Sequence, residues 1–445
     1  MFRNNKIFIL GMARSGYEAA KMLSMRGNEI IINDKDTNQD KNHVKELESL
    51  GVKVILGNHS IDLITNDLDY IIKNPGIKDS HELIVKAKEL NIPVINEVEM
   101  SYQLLPSDVT IIGVTGSNGK TTTTTLIHEM LMSAKLPVVL AGNIGYPLSS
   151  FLNVIKSGDI LLMEISIQQL CNFDKFKTNI SVLTNIYDNV HLEIVGTKEN
   201  YIATKRKIFN HHTKDDYAVI NLDNEDSIIC SNDIMSQIEY FSMNNNSNGC
   251  CVKDSSIYYK DELIIKLSDI KIKGNHNYQN IMAAIMVAKK LNVSNESIVK
   301  VLKTFNGVEH RIEYVKSING IDIYNDSKST NVKATQTSLS SFKKPIVLLL
   351  GGMDRGQVFE DLTDYMNDVK QVVCYGETKE KIKEFCKKIN KDCVVVDNLK
   401  EAVEEAYKKC ISGDVLLLSP ACASWDQYKD FEERGKIFKE YINIL

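Results

Sequence analysis

The chain has 445 residues, a formal charge of −5, 43% hydrophobic residues and 25% charged residues. This is the balance of a globular protein of about three domains, and it excludes a bulk nucleic-acid binder, which would carry a basic footprint. No apolar run approaches a membrane span, and the nine cysteines, an odd count without metal-ligand spacing, read as reduced thiols of a cytoplasmic protein.

The short apolar run at residues 1–10 stops too early for a signal-peptide core. Residues 1–97 alternate apolar strands, at 7–10, 30–33, 52–56, 70–73 and 93–95, with amphipathic helices at 15–25, 42–50 and 82–90. Such alternation predicts a parallel α/β sheet. The first strand-to-helix turn, Gly11-Met12-Ala13-Arg14-Ser15-Gly16, resembles a dinucleotide fingerprint, with Ala13 in place of the second glycine. Asp34 closes the second strand where a ribose-binding acid would sit. An ordinary tight turn accounts for these residues equally well.

Residues 98–306 open with an apolar strand at 109–112, then Gly113-Val114-Thr115-Gly116-Ser117-Asn118-Gly119-Lys120-Thr121-Thr122, then a helix expected over 123–132. A Gly-rich turn between strand and helix aims backbone N–H groups and a helix N-terminus at an anion. Lys120 supplies a point charge for phosphate, and the Thr121 hydroxyl is placed for Mg²⁺. The strict pattern puts glycine six positions before the lysine. Val114 stands there, with Gly113 and Gly116 as the glycines of a variant loop. Binding of a nucleoside triphosphate follows.

Further strands are expected at 138–141, 160–164, 180–184 and 217–221. Glu164 ends one of them, where a sheet of this kind holds a metal or water. His191, just past another, is a candidate metal or phosphate contact. Lys205, beside Arg206 and Lys207, reads on its own as a solvated helix charge. The stretch 238–272 is strand-rich and suggests a small β insertion, and helices follow at 276–291 and 295–304. Asn277 and Asn280 open the first of these, as a cap or as two amides for a nucleobase edge.

From residue 307 the alternation resumes, with strands at 321–324, 345–350, 371–375, 393–396 and 415–418 and helices at 332–341, 379–389, 399–410 and 436–441. Three small polar loops follow strands: residues 326–331, 351–356 and 419–426. Ligands bind at such carboxyl ends. The chain is thus expected to be a three-domain α/β protein: a Rossmann-like part at 1–97, a central phosphate-loop part at 98–306 and a Rossmann-like part at 307–445.

Taken together, these motifs resemble the Mur ligases over the whole length. The matching runs are residues 115–122, Ala141-Gly142-Asn143-Ile144-Gly145, Glu164-Ile165-Ser166, residues 185–191, 274–280, His310-Arg311, 326–331 and 419–425. The last of these, with Gln427, Phe431, Arg434 and Gly435, resembles the D-glutamate-adding members in particular.

The resemblance implies an ATP-dependent ligase of peptidoglycan-precursor synthesis, a cytoplasmic monomer joining D-glutamate to UDP-N-acetylmuramoyl-L-alanine. It implies that Thr115, Gly116, Ser117, Asn118, Gly119, Lys120, Thr121 and Thr122 hold the ATP phosphates. Asn277 and Asn280 would meet adenine, Asp326 the ribose and Arg311 the phosphates. Two Mg²⁺ sites are implied, with Thr121 and Glu164 at one and His191 and a carbamylated Lys205 at the other. Arg14, Ser15, Asp34, Lys35, Asn143, Ser166 and Gln169 would hold the UDP substrate. Lys328, Thr330, Arg355, Ser424 and Phe431 would form the D-glutamate site.

The chain departs from the family's commoner pattern at four places. Ile167-Gln168 stand where Ser-Phe is frequent, and the segment before His191 is one residue longer. Arg355 and Trp425 stand where some members carry Lys and Leu. A related ligase adding another amino acid would disagree with residues 424–435. A regulatory nucleotide binder has no need of Glu164, His191 and Lys205 together. A nicotinamide enzyme is disfavoured by Ala13 and by a first domain equal to one mononucleotide-binding half.

Overall fold

A computed structural model describes residues 2–187, 192–244 and 248–445, without the side chains of 192 and 193. The chain forms two compact units, Met1–Phe305 and Asn306–Leu445. The first holds two sheets and the second holds one.

The first sheet is parallel, built from β1 (Lys6–Leu10), β2 (Glu29–Asp34), β3 (Lys53–Leu56), β4 (Tyr70–Lys73) and β5 (Val94–Asn96) in the order β3-β2-β1-β4-β5. Its order reverses beside β1, and ligand crevices open at such a switch point. Ile7 and Ile9 pack on one face, and Phe8 and Leu10 on the other. A strand buried on both faces reads as a continuous apolar run, as residues 7–10 do.

The second sheet comprises β6 (Thr110–Thr115), β7 (Val138–Gly142), β8 (Ile160–Glu164), β9 (Ile180–Leu183), β10 (Tyr217–Asn221), β11 (Gln237–Ser242), β12 (Cys250–Lys253), β13 (Ser256–Tyr259) and β14 (Glu262–Lys266). Their order is β14-β13-β12-β11-β10-β9-β6-β8-β7. The strand-rich stretch at 238–272 is therefore not a separate insertion. Its strands extend the central sheet, with β12, β13 and β14 as an antiparallel meander. Pairing there satisfies N–H and C=O groups that β11 would otherwise leave open at an edge.

β6 lies inside this sheet between β8 and β9. Ile112 and Val114 point into one apolar layer and Ile111 into the other. The helix after the phosphate loop, Lys120–Ser133, starts three residues earlier than expected because Gly119, at φ 82°, turns the chain straight into it. It packs on the helix Asn275–Lys290, which is buried from Asn280 to Ala288.

The second unit contains β15 (Glu313–Ile318), β16 (Ile321–Asn325), β17 (Ile346–Gly351), β18 (Val369–Tyr375), β19 (Cys393–Val395) and β20 (Val415–Leu418), ordered β15-β16-β20-β17-β18-β19. All neighbours are parallel except β15 and β16. The last helix, expected at 436–441, runs Phe431–Ile444. Asp430 starts it by accepting from Glu433 N at 2.8 Å, a cap that hydrophobic periodicity does not reveal.

Candidate active site

The phosphate loop joins β6 to the helix Lys120–Ser133. A Cβ on Gly116 would fall 1.9 Å from Thr184 Oγ1, and one on Gly119 would fall 2.2 Å from Asn280 Oδ1. Only glycine lets the loop pass this close to its neighbours. Gly113, read from the sequence as a loop glycine, lies instead inside β6. The loop is held from outside as well. Ser117 N donates to Asn185 O and Asn118 N donates to Asn185 Oδ1, both at 2.8 Å. Tyr187 N donates to Ser117 Oγ at 3.0 Å, and that hydroxyl lies 3.1 Å from Tyr201 OH. The contributions of Asn185, Tyr187 and Tyr201 have no periodic signal in the sequence.

Lys120 opens the helix and donates from Nζ to Gly116 O at 2.8 Å and Ser117 O at 2.9 Å. Thr121 and Thr122 follow in its first turn, Thr121 buried and Thr122 half-buried. Thr115 is buried and donates to Ile165 O at 2.8 Å. Asn280 is buried and accepts from Thr123 Oγ1 at 3.3 Å. Asn277, half-buried, donates to Lys273 O at 2.9 Å.

Glu164 ends β8 and pairs in register with Val114 of β6, the strand that leads into the phosphate loop. It is buried, and its Oε1 accepts from Asn143 Nδ2 at 2.8 Å. Glu164 and Thr121 are hard oxygen donors, the ligands Mg²⁺ prefers. Among the described residues no group of three or more His, Cys, Asp or Glu side chains is placed to hold a metal ion. His191 lies outside the described residues.

Lys205 contradicts the solvated reading given by its basic neighbours. It is 1% exposed, and its Nζ donates to Thr115 Oγ1 at 2.9 Å and Gly116 O at 3.1 Å. Burial, reinforced by the Lys120 charge, holds its amine well below the ordinary lysine range. A basic run cannot show which of its three cations turns inward; the packing of the helix Lys198–Arg206, which carries Lys205 to Thr115, decides that.

A cavity of about 430 Å³ opens between the first turn of the first sheet and the ends of β7 and β8. Arg14, Ser15, Asn143, Ser166 and Gln169 line it. Asp34 and Lys35 are not among its lining residues. Asp34 instead accepts from Met12 N at 2.6 Å and Asp36 N at 2.9 Å, shaping the first turn, and Lys35 is exposed. Arg14 crosses to donate to Gly145 O at 3.0 Å, and its guanidinium lies 5.4 Å from the Tyr146 ring centre. Ser166 and Gln169 hold each other as a capping box: Ser166 N donates to Gln169 Oε1 at 2.9 Å and Gln169 N to Ser166 Oγ at 3.3 Å. Asn74 and Glu97 also line the cavity and carry no motif of their own, and Gln168, one of the departures from the family's commoner pattern, lines it beside Gln169. Glu97 is 3% exposed, and burial raises its carboxyl above the usual range, although Ser149 N donates to it at 2.5 Å.

In the second unit, the loops after β16, β17 and β20 meet at one end of the sheet because these strands are neighbours. Met353 N donates to Ala423 O at 2.9 Å. Arg434, fully buried, ties two of the loops together through Ser327 O at 2.8 Å and Cys422 O at 3.1 Å. Lys328 Nζ sits 5.8 Å from the Phe431 ring centre, Thr330 is half-buried and Ser424 is buried. Arg355 is exposed and lies 5.2 Å from the ring centre of Trp425, which is itself 60% exposed. The two departures at 355 and 425 thus form one cation–π pair. Asp326 is 1% exposed and accepts from Ser329, Ser338 and Ser419 hydroxyls and from Ile312 N. Burial pushes its carboxyl up despite them. Arg311 is exposed at the start of this unit.

The chain matches the family models of the Mur ligase middle domain over residues 114–288, the Mur ligase glutamate ligase domain over 310–422 and the Mur ligase MurD-like N-terminal domain over 5–96. It is 43% identical over 446 residues to the UDP-N-acetylmuramoylalanine–D-glutamate ligase of Bacillus cereus (strain G9842), covering 100% of this chain and 98% of the relative. It is 44% identical over 447 residues to the enzyme of the same name from Geobacillus kaustophilus (strain HTA426), with the same coverage. Among solved structures, the UDP-N-acetylmuramate–alanine ligase MurC of Thermotoga maritima matches with a TM-score of 0.61 at 19% identity, over 99% of both chains. MurF of Acinetobacter baumannii matches with a TM-score of 0.56 at 16% identity, over 94% of this chain and 92% of that one. At such identities the two structures speak to the fold.

Proposed function

The chain belongs to the Mur ligase family, and from that premise we propose that it joins D-glutamate to UDP-N-acetylmuramoyl-L-alanine at the expense of ATP, a cytoplasmic step in peptidoglycan-precursor synthesis. One observation carries this reading within the first unit. Asn143 lines the 430 Å³ cavity and also donates to Glu164, beside the phosphate loop. In this reading a carboxylate presented from the cavity approaches a phosphoryl group held by the loop by way of Asn143 and Glu164.

The alanine carboxylate of the UDP substrate attacks the γ-phosphorus, ADP leaves and an acyl phosphate forms. The amine of D-glutamate then adds to the acyl carbon, a tetrahedral intermediate collapses and phosphate leaves. Lys120 and the N-terminus of its helix offset negative charge on the transferring group. Thr121 and Glu164 would hold Mg²⁺, which when bound neutralises the phosphate oxygens. A protonated Lys205 cannot ligate a cation. Carbamylation would give it the oxygen donors for a second ion, with His191 as partner. Asn277 and Asn280 are assigned to adenine, and Arg311 and Asp326 to the phosphates and ribose. Arg14, Ser15, Asp34, Lys35, Ser166 and Gln169 are assigned to the UDP substrate. The working division is 1–97 for that substrate, 98–306 for ATP and chemistry, and 307–445 for the amino acid.

Phosphate release from ATP with UDP-N-acetylmuramoyl-L-alanine tests the reaction. Release should depend on D-glutamate and match ligated product one to one. Equal release with L-glutamate, L-lysine or diaminopimelate would reassign the amino acid.

Within the second unit, Lys328 and Arg355 are assigned to the two D-glutamate carboxylates, with Thr330, Ser424 and Phe431 completing the site. The guanidinium of Arg355 offers a planar fork that a lysine lacks. Arg355→Ala is expected to raise the D-glutamate KM by about 10- to 100-fold, the loss of a charge-assisted pair, while the ATP KM changes less than about twofold. Equal shifts in both constants would move Arg355 out of the amino-acid site.

A further inference from the structure

Outside the loops already described, the second unit holds a cluster of three thiols. Cys374 lies in β18, Cys393 opens the edge strand β19, and Cys386 sits on the helix Lys379–Lys388 that covers both. Cys393 is opposite Val372 in the parallel pair, so Cys374 lies two residues further along the same face. The Sγ atoms of Cys374 and Cys393 are 3.4 Å apart. Cys386 is the third member of the cluster and interacts electrostatically with Cys393. Of the three, Cys393 is partly exposed, whereas Cys374 and Cys386 are buried.

We propose that Cys393 and Cys374 form an oxidisable dithiol site, with a hydroperoxide as the co-reactant and a Cys374–Cys393 disulfide as the product. The Cys393 sulfur attacks one peroxide oxygen, the O–O bond breaks and water leaves, giving a sulfenic acid. The Cys374 sulfur then attacks the Cys393 sulfur, the S–OH bond breaks and a second water leaves. In sum, two thiols and one hydrogen peroxide give one disulfide and two waters.

Three features support this order of events. Contact with the Cys374 and Cys386 thiols, with the nearby Lys383 charge, holds the Cys393 thiol below its ordinary range, while the contact with Cys393 and then burial raise the other two thiols. The attacking residue is also the one of the three that is partly exposed. β19 is a three-residue edge strand paired on one side only, so it can shift as the sulfurs close to about 2.05 Å, the length of an S–S bond. Cys171 is likewise partly exposed, but its thiol is pushed up by burial, which makes it an internal reference.

The test uses the full chain, dilute hydrogen peroxide and peptide mass spectrometry without reduction. The expected result is a link between the peptides carrying Cys374 and Cys393, reversed by dithiothreitol. In Cys374→Ser, checked for fold by circular dichroism, a dimedone adduct should build up on Cys393 about tenfold faster than on Cys171. A Cys386–Cys393 link would overturn the pairing. Cys393 left unmodified while Cys171 oxidises would overturn the site.

Discussion

Lys120→Ala is expected to lower ligation by about 10³-fold or more, the scale of removing a charge that acts on the transferring group, and to leave the protein folded. The side chain is half-buried at the first position of its helix, where alanine is well tolerated. Its Nζ is bound to Gly116 O and Ser117 O, so the ammonium already sits inside the curve of the loop. The loop has other supports that the substitution leaves in place. Asn185 holds the amides of Ser117 and Asn118, and Lys205 holds Gly116 O. The checks are phosphate release, circular dichroism and a melting curve on the same preparation. Turnover within about tenfold of the parent in a folded variant would contradict a charge role of this size and remove Lys120 from the ATP site.

Lys205→Ala should be nearly inactive, with kcat/KM down by about 10²- to 10³-fold, and a short carboxylate such as formate or acetate should restore part of the rate. The amine is buried beside the loop, and its two hydrogen bonds go to Thr115 Oγ1 and Gly116 O. A neutral amine has two N–H donors, both used here, and one lone pair left to attack carbon dioxide. The product is a carbamate, and one proton is released. Lys205→Met separates chemistry from packing, because it fills the same volume without a nitrogen. It should stay folded and inactive, and carboxylates should not rescue it, since no cavity is left for them. Full activity in Lys205→Met, or no mass increase on Lys205 in native spectra with bicarbonate, would overturn the carbamate.

Much of the architecture was legible before any coordinates. Apolar runs bounded by turn residues locate β1, β4, β6, β8, β17 and β20, because a strand covered on both faces keeps its polar positions to its ends. The phosphate loop was equally plain, since its glycines, lysine and threonine act through local geometry. Where local signals competed, the reading was poorer. The stretch after β10 reads as a separate insertion, because sequence shows strands but not which edge they join. Periodicity starts the last helix five residues after Phe431, because its first turn, Phe431-Glu432-Glu433-Arg434, is mostly polar.

The sequence by itself determined the periodic elements, the order of the three α/β parts and the motif residues that tie the chain to its family. Tertiary structure decided what each polar side chain does, because burial depends on partners far away in the chain. It turned Lys205 inward beneath Thr115, 90 positions away. It set Asn143 between the cavity and Glu164, paired Arg355 with Trp425, and drew Cys374 against Cys393. A charge or thiol carries the same letter in water and in the core. Only packing sets the dielectric and the neighbours that determine its chemistry.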